Sequence, residues 1–344
     1  MFKTHIFVTE PQKEYALIDS GDGMKLERYG DEKTGIKIAR PDPQALWRKS
    51  LPEKEWKHVD AYFTDGKVSA GEKIKIERDG MNVGNSKHIV KGANAKYEAE
   101  RGKWIILRPG LQDTWPIHFG DLNFNIRLTS FKHTGIFPEQ HNNWLWCREI
   151  IKDAVRQNVN RDAGNAVDNT AKRPTVLNLF GYTGGASVSA ALGGAEVTHV
   201  DASRSSITWA NENAKSSNLE DAPIRWILDD ALAFVHREAR RGKKYDAIIM
   251  DPPAFGRGAK GEIWKIEEHF LELFEASLKI LSDTPLFVVV NGYAAGYSSI
   301  AYDNNMQALV QKYGGEVESG ELTLREEGPL HRLLPCGIVS RWKR

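Results

Sequence analysis

The stretch from Val176 to Asp201 constrains the fold more than any other part of the chain. In order, it contains an apolar run (176–180), a turn with glycines at 181, 184 and 185, a small-residue helix (186–192), a second apolar run (196–200) and Asp201. Glycines let a backbone turn sharply and approach a ligand closely, and a helix start offers free N–H groups. An acid after the second strand can accept both hydroxyl hydrogens of a ribose. The stretch therefore predicts a βα unit that binds an adenosine-containing ligand.

Two cofactor classes use this layout, the dinucleotides and S-adenosylmethionine. A dinucleotide site favours G-x-G-x-x-G, whereas this turn reads Gly181-x-x-Gly184-Gly185. The spacing disfavours NAD. A glycine-containing turn with no ligand is the alternative, and Asp201 argues against it because it falls where a ribose would need it.

Strand-like and helix-like segments alternate from residue 175 onward, which predicts a mostly parallel sheet with helices on both faces. Polar residues follow three further strands of that sheet, as Asp229-Asp230, Asp251 and Asn291. Ligands of open parallel sheets bind outside the carboxyl ends of the strands. A single acid at a strand end commonly caps a helix or is solvated. The series predicts one site at this edge.

Asp251-Pro-Pro-Ala-Phe255 is a second informative motif. Two prolines fix φ and remove two N–H donors, which leaves the flanking carbonyls available to a substrate amino or ring N–H group. The ring of Phe255 can stack on a flat base. The alternative is a rigid turn with a core phenylalanine. We predict Asp251, Pro252, Pro253 and Phe255 as catalytic residues.

The chain of 344 residues is long enough for two domains. We predict a small β-rich domain over 1–115, a connecting strand, loop and helix over 116–174, and a catalytic domain over 175–344. Strands and turns are expected at 73–77 and 79–80, and a polar surface link at 157–173. The N-terminal domain could grip a nucleic acid by charge and stacking, or could be a solvated strand face around an aromatic core.

Charge and cysteine content restrict the function classes. The net charge is +1, so no global basic field indicates nucleic-acid binding. The two cysteines, Cys147 and Cys336, form no C-x-x-C motif, which fits a reducing cytosol. The apolar runs are strand-length and no signal peptide is evident, so we expect a cytoplasmic protein without a membrane segment or metal site.

Several motifs together resemble the class I S-adenosylmethionine-dependent methyltransferases. They are Val176-Leu-Asn-Leu-Phe-Gly-Tyr-Thr-Gly-Gly185, Val200-Asp-Ala-Ser203, Asp229-Asp-Ala231 and Tyr245-Asp-Ala-Ile-Ile-Met-Asp-Pro-Pro-Ala-Phe255. The resemblance is closest to the branch that contains the 23S rRNA large-subunit methyltransferases, and it covers about 125–344. It implies a Rossmann-like α/β sheet, mostly parallel with an antiparallel last strand, and a small β-rich domain in front. It also implies S-adenosylmethionine as cofactor and RNA as partner.

The resemblance implies roles for individual residues. The cofactor would be held by Phe137, Glu139, Gln140, Asn178, Phe180, Gly181, Tyr182, Thr183, Gly184, Gly185, Asp201, Ala202, Ser203, Asp229, Asp230, Ala231 and Asp251. Within this set, 180–185 would enclose the methionine end and Asp201 the ribose. Asp230 or Asp229 would meet the adenine amino group, and Asp251 would lie near the methionine amine. The loop His133-Thr-Gly-Ile-Phe-Pro-Glu-Gln140 would approach the cofactor.

One departure from the family bears on the methylated atom. Members that methylate cytosine C5 place a cysteine nucleophile after strand four or five, because the ring carbon is inert until a thiolate adds to the ring. Here Asp-Pro-Pro is followed by Ala254, and strand five ends in Asn291-Gly-Tyr. Cys147 has the helical spacing of a core residue, and Cys336 is expected to be structural. The sequence therefore predicts transfer to nitrogen, with oxygen as the alternative acceptor.

The leading hypothesis is thus a methyltransferase acting on a nitrogen of an RNA base, with ribosomal RNA as substrate. A second hypothesis keeps the cofactor but has a protein side chain or small molecule as substrate. A third is a catalytically inactive methyltransferase fold that serves as a binding module. The intact glycine and aspartate positions argue against the third hypothesis.

Overall fold

The computed structural model describes residues 4–64, 102–162, 173–258, 261–293 and 296–344. In chain order the strands are β1 (Thr4–Thr9), β2 (Tyr15–Gly21), β3 (Met24–Tyr29), β4 (Ile36–Pro41), β5 (Ala61–Thr64), β6 (Lys103–Ile106), β7 (Thr114–Phe119), β8 (Leu122–Arg127), β9 (Thr175–Leu179), β10 (Glu196–Asp201), β11 (Ile224–Leu228), β12 (Ala247–Met250), β13 (Phe255–Arg257), β14 (Ile263–Lys265), β15 (Phe287–Gly292), β16 (Glu316–Arg325) and β17 (Leu333–Lys343). The helices are α1 (Glu53–Lys57), α2 (His141–Asp162), α3 (Gly185–Leu192), α4 (Arg204–Ser216), α5 (Ala231–Arg240), α6 (Ile266–Lys279) and α7 (Ser299–Tyr313), and Pro138–Gln140 form a 3-10 turn.

An eight-stranded sheet forms the centre of the molecule, in the order β1-β16-β17-β15-β12-β9-β10-β11. Neighbouring strands run parallel except that β17 is antiparallel to both β15 and β16. The predicted mostly parallel sheet with an antiparallel last strand is confirmed. The parallel core, β15-β12-β9-β10-β11, brings the carboxyl ends of its strands to one edge.

Helices cover both faces of this sheet, as the alternation of strand side chains requires. On one face Leu177, Ile248 and Val288 pack with residues of α5, α6 and α7. On the other face their neighbours Val176, Ile249 and Val289 pack with residues of α2 and α3. Among the described residues, no helix is long and apolar enough to cross a membrane.

A five-stranded sheet of β2 to β6 confirms the predicted N-terminal β-rich unit. The first strand does not belong to it, because Thr4–Thr9 pair in parallel with β16 at the edge of the large sheet. The chain therefore begins in the large sheet and then enters the small one. The divisions at 115 and 174 stay predictions.

A buried network joins the two sheets. The guanidinium of Arg332, just before β17, donates to Asp19 of β2 and to Glu326, with both N···O distances at 2.8 Å. Glu326 also accepts from the hydroxyl of Ser20. Both carboxylates are fully buried. The small sheet is thereby tied to the strand that completes the large one.

Two predicted loops differ from the structure. Residues 157–162 of the expected surface link continue α2, and 163–172 lie outside the described residues. The sequence predicts a loop over 256–261 after the Asp251–Phe255 motif, but this segment begins with a short antiparallel hairpin of β13 and β14, whose strands are too short to produce a periodic signal. The strands and turn expected at 73–80 also lie outside the described residues.

Candidate functional site

A cavity of about 800 Å³ lies at the carboxyl edge of the parallel core. This volume is in the range of small-molecule sites. Among the predicted residues it is lined by Phe137, Glu139, Phe180, Tyr182, Asp201, Ala202, Ser203, Asp229, Asp230, Ala231, Asp251 and Pro253. A smaller recess beneath the glycine turn adds Gln140, Asn178, Gly181, Thr183 and Gly185. The structure thus brings together most of the predicted set.

Three predicted residues, Gly184, Pro252 and Phe255, line neither space. Gly184 precedes α3 with a φ of 86°, a left-handed conformation that glycine adopts at little cost. Pro252 is buried. Phe255 lies in β13 and is 49% exposed, so its ring is not the core phenylalanine of the alternative interpretation, and its stacking on a base stays a prediction.

The glycine turn has an unusual backbone. Phe180 and Tyr182 have positive φ values of 56° and 48°, which side-chain-bearing residues rarely adopt. The amide of Tyr182 donates to Asp201 Oδ2 at 2.9 Å, and this bond joins the turn to the end of β10. A methyl group at Gly185 would meet the indole of Trp144 at 2.4 Å. Close packing against α2 therefore requires glycine there.

The acids after β10 and β11 are already partly hydrogen-bonded. Asp201 also accepts from the amide of Ser203 at 2.8 Å, and burial raises its pKa. Asp230 caps α5 by accepting from Ala233 N at 2.9 Å, while Asp229 pairs with Arg237. Each carboxylate oxygen can accept more than one hydrogen bond, so these acids can still receive a ligand hydroxyl or amino group.

Asp251, directly after β12, is the most electrostatically perturbed acid of the cavity. Burial, and then the nearby carboxyl of Glu139, raise its pKa from 3.8 to about 7. Its Oδ1 is buried and has no hydrogen-bond partner among the residues that the structure describes. Glu139 is buried on the same wall, and its pKa is also raised by burial. Two such acids facing one cavity form a site suited to a cation.

The motif after Asp251 uses some of its carbonyls internally. The indole Nε1 of Trp264 donates to Pro253 O at 2.6 Å, and the amide of Ile266 donates to Ala254 O at 3.0 Å. Pro253 O and Ala254 O each accept one hydrogen bond within the protein, and each carbonyl oxygen keeps a second lone pair for a substrate donor. Trp264 reaches the Pro253 carbonyl because β14 folds back over the motif.

Three other predicted side chains form hydrogen bonds to protein groups around the site. Asn178 Nδ2 donates to Ser187 Oγ at 2.8 Å, and Thr183 Oγ1 donates to Gly135 O at 2.6 Å. Gln140 Nε2 donates to the hydroxyl of Tyr293 at 2.7 Å. In the structure these polar groups are engaged with other protein groups.

Sequence reasoning missed several residues of the cavity wall. They are Lys25, Arg40, Asp42, Phe63, Phe131, Lys132, Trp264, Tyr293 and Cys336. Lys25 and Arg40 belong to the N-terminal sheet, so that sheet forms one side of the cavity. No local pattern marks these two, because their neighbours in the site come from distant parts of the chain. Tyr293 could have been found, since it directly follows the fifth strand of the parallel core.

Both cysteines are protonated thiols in their present surroundings. Cys147 is buried in the core beneath the recess, as predicted, and burial raises its pKa to about 12. Cys336 lines the cavity, where burial and Glu139 hold its pKa well above the usual value. The thiolate is the nucleophilic form of cysteine, so neither residue is activated.

A family model described as S-adenosylmethionine-dependent methyltransferase matches residues 80–268. The chain belongs to this family. A methyltransferase of the family uses S-adenosylmethionine as its methyl donor, which confirms the predicted cofactor.

The methyltransferase is similar to curated proteins named ribosomal RNA large subunit methyltransferase K/L. That of Shewanella frigidimarina is 33% identical over 161 residues, which are 46% of this chain and 20% of the relative. That of Shewanella sp. strain W3-18-1 is 32% identical over 170 residues, 49% of this chain and 21% of the relative. The chain thus matches about a fifth of the length of these relatives.

Two solved structures resemble the methyltransferase over nearly all of its length. A SAM-dependent methyltransferase from Agrobacterium tumefaciens has 37% identity and a TM-score of 0.79, covering 100% of this chain and 97% of its own. A putative SAM-dependent methyltransferase from Streptococcus mutans has 17% identity and a TM-score of 0.60, and the match covers 97% of this chain and 76% of the Streptococcus chain. The second likeness shows the fold alone.

Proposed function

We propose that the protein methylates a nitrogen atom of an RNA base, with ribosomal RNA as substrate and S-adenosylmethionine as donor. The observation that carries the choice of nitrogen is the placement of the two thiols. Cys147 is buried in the core, and Cys336 Sγ donates to Leu334 O at 3.4 Å. Burial also raises the pKa of both thiols. A carbon acceptor would need a thiolate, whereas a nitrogen brings its own lone pair.

The residues present fit S-adenosylmethionine. The unpaired Oδ1 of Asp251, beside Glu139, would accept from the cationic methionine amine. Asp201 would hold the ribose and Asp230 or Asp229 the adenine amino group, while 180–185 would enclose the methionine end. When bound, the cofactor supplies a sulfonium-linked methyl group, which a nitrogen lone pair takes as the carbon–sulfur bond breaks and its electrons stay on sulfur.

The chain's own residues would position the acceptor. An amino nitrogen that gains a methyl group must lose a hydrogen ion. The pKa of about 7 belongs to Asp251 in the empty cavity. With the methionine amine beside it the carboxyl is charged, so it can accept a hydrogen bond from the acceptor amino group while the hydrogen ion leaves to solvent. Holding the acceptor beside the methyl group supplies the remaining rate enhancement.

The proposal of an RNA substrate has two supports. The curated relatives are named for methylation of large-subunit ribosomal RNA. The half-exposed ring of Phe131 and the neighbouring Lys132 line the cavity. Aromatic rings and cations are the groups that grip single-stranded RNA. Ribosomal RNA as substrate implies that the protein works in the cytoplasm.

Mass spectrometry of ribosomal RNA from a strain lacking the gene tests this function. We expect one N-methylated nucleoside to disappear and to return when purified protein and S-adenosylmethionine are added to that RNA. An unchanged modification profile would contradict an RNA substrate. Labelled methyl groups recovered in protein or in small molecules would favour those substrates instead, and a methylated ribose would favour oxygen.

The affinity for S-adenosylmethionine should depend on pH through Asp251. Its pKa of about 7 means that the carboxyl is neutral below that pH and charged above it. A cation binds the charged form, so calorimetry should show affinity that changes by less than about twofold from pH 7 to 7.5 and falls up to roughly tenfold per unit below pH 7. Glu139→Gln removes the neighbouring acid and should move the midpoint to lower pH. An affinity unchanged between pH 5 and 7.5 would contradict this role.

Removing both thiols should leave methyl transfer intact. We expect Cys147→Ala combined with Cys336→Ala to keep kcat within about threefold, because neither thiol is a nucleophile. The Cys147 change should lower stability by about 1 kcal/mol, since it leaves a small cavity. Turnover with labelled cofactor checks kcat, and the melting temperature checks the loss of stability. Complete loss of turnover in a folded Cys336→Ala variant would point to carbon methylation.

A further inference from the structure

Tyr293 is placed at the reacting end of the cavity, although no function has yet been assigned to it. It directly follows β15, which pairs in parallel with β12, the strand that ends before Asp251. The carboxyl ends of these strands are therefore adjacent, and both residues line the cavity. The ring of Tyr293 packs against that of Phe137, with ring centroids 5.3 Å apart.

A chain of side-chain hydrogen bonds fixes the orientation of the Tyr293 hydroxyl. Arg341 can only donate, and its Nη1 contacts Asn143 Oδ1 at 3.3 Å, so that atom is the acceptor oxygen of the amide. Asn143 Nδ2 then donates to Gln140 Oε1 and to Asn291 Oδ1, both at 2.9 Å.

The same chain determines the role of the hydroxyl oxygen. With Oε1 of Gln140 as an acceptor, its Nε2 must donate, and it does so to the Tyr293 oxygen at 2.7 Å. The oxygen is thus an acceptor within the protein, and the O–H hydrogen is directed to another group. Burial, Glu139 and Asp251 hold the pKa of Tyr293 well above its usual value, so the phenol keeps this hydrogen.

We propose that the Tyr293 hydroxyl donates a hydrogen bond to an unprotonated ring nitrogen of the target base, next to the amino group that is methylated. The inference rests on the proposed function and specifies its substrate class. Asp251 would accept a hydrogen bond from the amino group, and the Tyr293 hydroxyl would donate one to the ring nitrogen next to that amino group. This donor–acceptor pair matches the amino edge of adenine or cytosine, and also the amino group and N3 of guanine. Uracil has no amino group and is excluded.

Tyr293 acts in this scheme as a substrate-contacting residue that aims the nitrogen lone pair. Phe137 fixes the position of the Tyr293 ring, and Gln140 fixes the position of its hydroxyl. The hydrogen-bond donor is therefore in place before the base binds. A fixed donor of this kind loses little entropy on binding and contributes to orientation of the reacting atom.

Tyr293→Phe tests the contact because it keeps the ring and removes the hydroxyl. We expect single-turnover methyl transfer to ribosomal RNA from the deletion strain to fall about 10- to 100-fold. The Kd for S-adenosylmethionine, measured by calorimetry, should stay within about twofold, and the melting temperature should be unchanged. A residue with only a structural role would instead alter stability or cofactor affinity.

Tyr302→Phe is the matched control. Tyr302 is a buried tyrosine near the end of β15, and no described residue forms a hydrogen bond with its hydroxyl. It does not line the cavity, so its phenylalanine variant should transfer methyl groups at the wild-type rate. Transfer within threefold of wild type by a folded Tyr293→Phe protein would overturn the proposal.

The identity of the product gives an independent test that does not depend on how the variant folds. Digestion of the methylated RNA and mass spectrometry should find the methyl group on the amino nitrogen of adenosine, cytidine or guanosine. A methylated uridine, ribose or ring carbon would overturn the role of Tyr293 while leaving RNA as the substrate. Absence of any transfer to RNA by wild-type protein would instead reject the proposed function, and this inference with it.

Discussion

Replacing Asp251 by asparagine should weaken S-adenosylmethionine binding by about 10- to 100-fold. A hydrogen bond to a charged group contributes roughly 1.5–3 kcal/mol, and asparagine keeps the shape but loses the charge. Within the described part of the chain the buried Oδ1 of Asp251 has no hydrogen-bond partner, so a ligand amine would be its main source of stabilisation. Calorimetric titration of the variant with S-adenosylmethionine checks this change.

The same substitution should stabilise the unliganded protein at pH 8. The folded carboxyl has a pKa of about 7, against 3.8 when unperturbed, so the folded state binds the proton more tightly than the unfolded state. The contribution of Asp251 to stability therefore declines as pH rises from about 4 to 7. Asparagine does not titrate. We therefore expect the free energy of unfolding of the Asp251→Asn protein to exceed that of wild type by about 2 kcal/mol at pH 8. At pH 4 the two proteins should be nearly equal.

Asp283→Asn is a suitable control, because Asp283 is exposed and lies before β15, at the opposite edge of the sheet. Urea unfolding of wild type and both variants at pH 4 and pH 8 separates the effects. Weaker cofactor binding together with lower stability at pH 8 would indicate a structural role for Asp251. Unchanged cofactor affinity would place the methionine amine elsewhere.

The catalytic core was predictable because its signals are local. The glycine turn at 181–185, the strands around it and Asp201 lie within a short stretch, and the rule for open parallel sheets gathers Asp229 and Asp251 at the same edge. Hydrophobic strands such as β15 are recognisable without knowledge of their partners. The positions of these acids in one cavity follow from the sheet order alone.

The rest depends on contacts between distant segments. The strand Thr4–Thr9 has an ordinary alternating pattern, and nothing in it indicates pairing with β16 more than 300 residues later. Lys25 reaches the cavity only because the N-terminal sheet packs beside it. The sequence allowed Phe255 to be either a core ring or a ring that stacks on a base, and only the pairing of its segment with β14 leaves the ring exposed. The propensities and spacing of residues within one segment do not show which distant segment it will pair with or pack against.

Arg332→Met should be the most destabilising of these substitutions, with a loss of about 3–5 kcal/mol in the free energy of unfolding. The guanidinium pairs with Asp19 and Glu326, and both carboxylates have 0% side-chain exposure. Methionine fills much of the space but supplies no charge. Two buried carboxylates would then lose their cation, which costs far more than the original pairs contributed.

Arg325→Met provides the comparison, because Arg325 forms a similar pair with Glu10 on the surface. An exposed ion pair contributes at most about 1 kcal/mol, so this variant should unfold nearly like wild type in urea. Equal losses in the two variants would contradict the importance of burial. Since Arg332 joins β2 to the segment before β17, hydrogen exchange should show protection lost first in β2 and β3, while β12 stays protected. A uniform loss across both sheets would mean that the N-terminal sheet and the cofactor core unfold as one unit.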